Sequence, residues 1–426
     1  MRKAVVMLAL CCLAIGTAFA ACGFTGSGGN QLVVETFGDF GYHDLYARYE
    51  RSHPGLKIVE HVVSYDDHHK NLQAHLLGGS GTGDVEAIET GYMAQFRVMA
   101  DKFVDFKAQG VDPGRWLPWK AQQATSDDGK LIGLGTDVGG LAMCYRRDLF
   151  AQAGLPTARD QVSALWPDWR SYIATGKRFM AEASKDPKGP RDPKDVAWFD
   201  SGANVFNAIM GQAPVAYTDR GNNVVVASNP AVKQAFDLAV DAVRAGESAK
   251  LTTFSQQWNA GFQRGSFATV ACPAWMTDTI RQNAPQTSGK WDIATIPGGS
   301  GNWGGSFLTV PKQSKHPKEA IALAEYLTAP EQESWIFRTQ GHLPSEPALY
   351  SDPAVTGYTN PFFSDAPTGR IFTTAARKLR PQYQGPKDGD IGPLIGQGIN
   401  RVDKGRQGPE RAWRQVLKDV ANATEP

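Results

Sequence analysis

Leu32-Val33-Val34-Glu35-Thr36-Phe37-Gly38 is a short β-branched, apolar run that ends on a glycine. Such a run reads as a strand. Tyr42 to Ser52 follows with apolar residues at helical spacing and stops at His53-Pro54-Gly55, where proline and glycine end a helix. Leu56 to Val63 alternates as a second strand, Tyr65 to Leu77 reads as a helix closed by Gly78-Gly79, and Asp84 to Ile88 reads as a third strand. Strands and helices that alternate with short connections predict an α/β domain with a mostly parallel sheet. In such sheets ligands sit beyond the carboxyl ends of the strands. Here those ends are Phe37-Gly38-Asp39-Phe40 and Glu89-Thr90-Gly91-Tyr92.

Further along, Gly129 to Gly140 combines a turn, a short strand and Asp137 set among glycines. Glycines flanking a strand suit a chain that bends between two domains. Asp186 to Asp195 is rich in Lys, Asp, Pro and Gly and reads as a solvated loop. Val232 to Ala245 has helical spacing, and Ala260 to Pro273 runs from a helix end into a strand. Trp303-Gly304-Gly305-Ser306 precedes a strand at Phe307 to Val310, and Lys318 to Leu327 is a helix before Ala329-Pro330. Gly385 to Gly398 is rich in Gly and Pro, and Arg411 to Val420 reads as a helix.

Upstream of the first strand, Arg2 and Lys3 precede an apolar run from Ala4 to Ala20, and Ala20-Ala21 stands before Cys22. This is a charged n-region, an apolar h-region and a small-residue cleavage site, which assigns residues 1–21 to a signal peptide. A cysteine directly after the small residues resembles a bacterial lipoprotein signal, in which that cysteine, here Cys22, carries the lipid. Residues 22–30, rich in Gly and Ser, then read as a flexible tether. The location expected on this pattern is outside the cytoplasm, lipid-anchored to the outer face of the cell membrane. The alternative is a plain secretory signal with an incidental cysteine.

The remaining chain is long for one core and points to two domains. With 44 basic and 43 acidic residues and a net charge of +1, nothing favours a nucleic acid or an anionic surface as partner. No second apolar run reaches the roughly 18 residues of a membrane span. Of five cysteines, Cys144 and Cys272 lie outside the leader, in the apolar strand-like runs 141–145 and 268–272. In an exported protein such a pair is a possible disulfide, and two buried thiols is the other reading.

Six of the eight histidines lie between His43 and His75. They lack the three or four convergent ligands a metal needs, so solvated surface histidines and no metal are expected. Gly78 to Gly83 lacks the Gly-Lys-Ser/Thr ending of a phosphate loop and reads as a turn.

Four segments carry a resemblance. They are Gly81-Thr82-Gly83-Asp84-Val85, Gly129 to Asp148 with its Tyr145-Arg146-Arg147-Asp148, Gly265 to Ala268 followed by Pro273-Ala274-Trp275-Met276, and Trp303-Gly304-Gly305-Ser306. In this order and spacing the chain resembles the extracellular solute-binding proteins, family 1, of ABC sugar importers. Within that family Tyr65 to His69, Asp84 to Glu89 and Asp137 to Arg146 are similar to actinobacterial lipoproteins that bind cellobiose and cello-oligosaccharides. The resemblance implies a periplasmic-binding-protein-like fold, two α/β lobes joined by hinge crossings with the ligand cleft between them. It divides the chain into an N-terminal lobe at 31–137 and 304–345, and a C-terminal lobe at 138–303 and 346–426. It further implies an oligosaccharide ligand, ABC permease subunits as partners, no cofactor, no chemistry and a monomer. Asp and Glu are plentiful enough for a glycosidase pair, so a secreted carbohydrate-active hydrolase is the reading from another class, and another di- or oligosaccharide is the nearer alternative.

A sugar presents hydroxyls and flat faces of C–H bonds, so its site needs aromatic planes and hydrogen-bonding groups, charged acceptors making the stronger bonds. Aromatic candidates at strand ends and bends are Phe37, Tyr42, Tyr92, Trp198, Trp275 and Trp303. Polar candidates are Asp39, Glu89, Asp137, Asp200 and Asn207, with Gly304 and Gly305 through their backbone. Trp275 and Trp303 lead, because each follows a strand or sits in a glycine-rich bend. Trp116, Trp119, Trp166, Trp169 and Trp258 are expected to serve packing.

Overall fold

β1 (Asn30–Thr36), β2 (Leu56–Val62) and β3 (Val85–Glu89) pair in parallel in the order β2-β1-β3, as the alternation of strand and helix requires. Two short strands lie at the crossing, β4 (Leu134–Gly135) and β5 (Asp137–Val138), and β6 (Leu141–Arg146) follows. The later strands are β7 (Ala197–Phe199), β8 (Phe267–Pro273), β9 (Trp291–Ala294), β10 (Ser306–Thr309) and β11 (Leu343–Pro344). This computed structural model describes residues 30–183 and 196–425. The expected signal peptide, the lipid site Cys22, the tether up to Gly29 and the loop from Asp186 to Asp195 lie outside the described residues.

The first sheet has the order β2-β1-β3-β10-β4, and β10 runs antiparallel to both its neighbours. Leu32 and Val34 of β1 alternate into a core shared with Leu45, Leu72, Phe103, Phe307 and Leu323. The second sheet has the order β7-β8-β6-β9, and β6 runs antiparallel to β8 and β9. Every residue of β6 is buried. Leu141, Met143 and Tyr145 join a core with Phe150, Trp166 and Ile395, while Ala142 and Cys144 join another with Trp258, Phe262 and Trp291. A sheet covered on both faces reads as a continuous apolar run. On that second face Cys144 and Cys272 are joined, with Cα atoms 5.4 Å apart.

In each sheet the antiparallel strand is the one by which the chain arrives from the other lobe. β6 follows Gly139-Gly140, and β10 follows Gly304-Gly305. β5 pairs with β11 as a separate two-stranded ribbon between the sheets. The crossings lie back to back. Trp303 N donates to Gly139 O at 2.8 Å, and a Cβ on Gly139 would stand 1.8 Å from Trp303 O.

The expectation of surface histidines is corrected at His68 and His69, which are buried. The His68 Nε2 lies 2.6 Å from Ala87 O and the His69 Nδ1 2.7 Å from Tyr65 O, while Glu89 N donates to His69 Nε2 at 3.0 Å. Both rings pin the helix Tyr65–Gly78 to β3, and burial lowers both pKa values, that of His69 to about 3. Among the described residues no group of three or more His, Cys, Asp or Glu is placed to hold a metal, and no helix is long and apolar enough to cross a membrane.

Candidate ligand-binding cleft

The carboxyl ends of β1 and β3, the crossings and the helix Met276–Asn283 face one another across a cavity of about 770 Å³. Nine of the predicted positions line it together: Phe37, Asp39, Glu89, Asp137, Asn207, Trp275, Trp303, Gly304 and Gly305.

Trp275 and Trp303 form the apolar wall. Their rings meet nearly edge to face, with centroids 6.0 Å apart and planes at 74°. Trp275 Nε1 donates to Trp303 O at 3.1 Å, so its polar edge is satisfied within the protein. Gly304, at φ +88°, lets the backbone pass close to the Trp275 ring, where a Cβ would lie 3.0 Å from Nε1.

Glu89 caps the helix Thr90–Arg97. Its Oε2 accepts from Gly91 N at 2.6 Å and from Tyr65 OH at 2.9 Å. Oε1 faces Gly304 and makes no hydrogen bond to the described residues. Burial raises the Glu89 pKa, offset by these two bonds and the Lys120 charge. Asp137 Oδ1 accepts from Ser306 N at 2.9 Å and Thr136 Oγ1 at 2.7 Å, which ties the outgoing crossing to the return. Behind both carboxylates Lys120 is buried, its Nζ 3.1 Å from Thr90 Oγ1 and 3.8 Å from the centre of the Phe307 ring. Burial lowers its pKa to about 8. At the mouth Asp39 Oδ2 accepts from Gln282 Nε2 at 3.1 Å, a bond from one lobe to the other.

Asp39, Glu89, Asp137, Asp278 and Asp388 all line the cavity, and among the described residues no Lys or Arg does. Burial raises Asp388 to about 6, against donation from Thr218 Oγ1 at 2.8 Å. This lining suits hydroxyl donors and apolar sugar faces, and it opposes an anion.

Three predicted positions are corrected. Tyr42 is buried in the first core against Phe40 and Tyr46. Tyr92 stacks on His69 at 4.1 Å, below the lining. Trp198 is fully buried between Phe150, Trp166 and Phe179. Each is near a strand end, but on the face the fold turns inward. Asp200 is buried too and accepts from Trp258 Nε1 at 2.7 Å. Conversely, Trp119, expected to pack, lines the cavity, as do Tyr65, Tyr217 and Phe254. Tyr65 could have been found as the first residue of the helix that follows β2. Tyr217 and Phe254 lie in loops with no periodic signal.

The profile described as "Bacterial extracellular solute-binding protein" matches residues 44–363. The chain is a bacterial extracellular solute-binding protein. A solved structure described as extracellular solute-binding protein family 1 is 44% identical, with TM-score 0.79, covering 93% of this chain and all of that one. The arabinooligosaccharide-binding protein of Bacillus subtilis (strain 168) is 25% identical over 352 residues, 76% of this chain and 77% of its own. The fold is also that of the ABC-transporter-associated binding protein of B. animalis subsp. lactis Bl-04, solved with β-1,6-galactobiose, at 19% identity and TM-score 0.78, covering 92% of this chain and 97% of that one. The solute-binding protein therefore has the periplasmic-binding-protein-like α/β fold, and two of these relatives are named for, or solved with, oligosaccharides. The matched family and the curated relative are binding proteins, not enzymes, so the hydrolase alternative is set aside.

Proposed function

We propose that this solute-binding protein captures cello-oligosaccharides in the interlobe cleft, closes on them and delivers them to its permease as a monomer anchored through Cys22. The observation that carries the reading is the Trp275–Trp303 corner beside the free oxygen of Glu89. Two perpendicular indoles take the apolar faces of adjoining sugar units, while Glu89, Asp137 and Asn207 take hydroxyls. The resemblance of Tyr65 to His69, Asp84 to Glu89 and Asp137 to Arg146 to cellobiose-binding lipoproteins supports the β-linked glucose chain. We place the domain divisions at 137/138 and 303/304, on the two crossings, and at 345/346, just past β11. Arabino-oligosaccharides are the second reading, because the Bacillus subtilis relative is named for them.

Calorimetric titration with cellobiose, cellotriose, arabinotriose and maltotriose tests this. Binding of the cello-sugars and a loss of about 10–100-fold in Trp303→Ala are expected, the size of a buried aromatic contact. Heat from arabinotriose alone would transfer the assignment to the second reading. Intact-mass measurement of the membrane fraction tests the anchor: an unmodified Cys22 refutes it without touching the ligand.

A further inference from the structure

Phe254 combines three unfavourable features for a residue with no task in the fold. It is 58% exposed, one of few large apolar side chains so placed among the described residues. Its backbone is left-handed at φ +63°, a region an L side chain enters at a cost and which clusters at functional sites. Yet its loop is held firmly. Leu251 N donates to Asp200 O at 3.1 Å, Thr253 Oγ1 to Asn204 Oδ1 at 2.8 Å, and Ser255 caps the next helix through Trp258 N at 3.2 Å. A strained, exposed ring on a fixed loop is a preorganised surface rather than a loose end.

The ring's neighbours say what that surface faces. It leans on the buried Trp258, with centroids 5.5 Å apart and planes at 67°. It lies 6.2 Å from Trp275 at an interplanar angle of 32°, and it lines the same cavity. Phe254, Trp275 and Trp303 thus form one aromatic row, with steps of 6.2 and 6.0 Å, running from the exposed rim to the crossing.

We infer that Phe254 is a rim subsite that stacks on a sugar unit beyond those held at Trp275 and Trp303, and so makes the protein favour chains of three or more units. Stacking on the apolar face of a sugar ring is indifferent to the hydroxyls at the edge. Phe254 therefore selects for chain length, while the carboxylates at the crossing select for sugar identity. This rests on the reading of the cleft as an oligosaccharide site.

The test uses the full mature chain with cellobiose, cellotriose, cellotetraose, arabinotriose, maltotriose and β-1,6-galactobiose in a thermal-shift screen, followed by calorimetry on the two- and three-unit forms of the best ligand. Phe254→Ala is expected to weaken the three-unit sugar by about fivefold or more and the two-unit sugar by less than about twofold. Phe254→Tyr keeps the platform and is expected to restore binding. Phe254→Gly relieves the left-handed backbone and is expected to melt no lower than wild type, since the ring supports no core. Unchanged three-unit affinity in Phe254→Ala overturns the subsite, as does equal weakening of both lengths, or a wild type that takes only the disaccharide. A marked fall in the melting temperature of Phe254→Gly reassigns the ring to the fold. A wild type that responds to no sugar overturns the oligosaccharide reading itself and this subsite with it, which separates the two failures.

Discussion

Gly139→Ala should disturb this protein where its neighbour Gly140→Ala does not. A Cβ on Gly139 would stand 1.8 Å from Trp303 O and 2.4 Å from Trp303 C. Real Cβ contacts stop near 3.0 Å, so the two crossings must part by about 1.2 Å. Neither side yields cheaply, because both are backbone and are joined by the Trp303 N to Gly139 O bond. Losing that bond costs about 1–3 kcal/mol and overpacking about 1–3 kcal/mol. At about 2.1 cal/mol/K per residue, a total of about 2–6 kcal/mol lowers Tm by roughly 2–7 °C if both lobes melt together. A Cβ on Gly140 would meet the Leu343 Cδ2 at 3.2 Å, the end of a flexible side chain, and the Phe372 O at an ordinary 3.7 Å, so Gly140→Ala should melt near wild type. The affected carbonyl belongs to Trp303 and accepts from Trp275 Nε1, so sugar affinity should fall in Gly139→Ala as well. Differential scanning calorimetry of the two variants, followed by titration with the best sugar, measures both effects. Equal melting temperatures within about 1 °C would refute the back-to-back packing of the crossings.

Three further outcomes are expected. The Cys144–Cys272 bridge spans 128 residues, which in the chain-entropy account is worth about 5 kcal/mol; the double alanine variant should unfold at lower denaturant, and an unchanged midpoint would mean the thiols are not bridged. Glu247 is fully buried with neither carboxylate oxygen bonded among the described residues, and burial raises its pKa to about 8 from an ordinary 4.5. A raised folded pKa favours the protonated native state, so stability is fullest below pH 4.5 and declines toward pH 8, with Glu86 adding the same sign; Glu247→Gln should flatten that slope in melts from pH 5 to 9, and an unaltered slope would clear Glu247. Finally, five carboxylates and no Lys or Arg line the cleft among the described residues, so a sugar chain oxidised to a terminal carboxylate should bind at least about tenfold more weakly than its neutral parent at low salt; equal affinity would show that the carboxylates do not govern entry.

Local pattern was enough for the first lobe because its elements are consecutive. From β1 to β3 each strand end and helix stop is marked by residues within a few positions, and Phe37, Asp39 and Glu89 followed from the strand-end rule alone. The antiparallel placement of β10 was not legible, since it depends on a strand more than 200 residues away from β3. The Gly/Pro-rich composition of 385–398 concealed the helix Asp388–Asp403. That helix tolerates its glycines because neighbours press on them, Tyr92 on Gly389 and Val416 on Gly398. Trp198 and Tyr42 show the limit of reading a site by residue type. A large ring near a strand end serves core or cleft according to which face the lobe buries, and that is fixed only when distant helices dock. His68 and His69 fail for the same reason, as their polar atoms are satisfied by β3 carbonyl and amide groups that periodicity cannot place.

The crossings explain why binding and closure belong to one device. Each sheet receives from the other lobe a strand that runs against its neighbours, and the residues just before these strands, Asp137 to Gly140 and Trp303 to Gly305, also line the cleft or brace it. Asp137 bonds Ser306 across the two crossings, Gly139 bonds Trp303, and Trp303 in turn receives Trp275 from the C-terminal lobe. On the proposed function, a ligand that leans on Trp303 and Glu89 acts directly on the backbone of the crossings, with no intervening chain of side chains. Beyond the crossings the lobes also meet through Asp39 accepting from Gln282, Gln123 donating to Gln384 at 3.5 Å and Arg281 donating to Thr339 O at 2.9 Å, hydrogen bonds worth about 0.5–1.5 kcal/mol each. On the proposed function, closure held by a few such bonds is readily biased by a ligand that prefers one state by a few kcal/mol, which is what a receptor that must capture and later release its cargo requires.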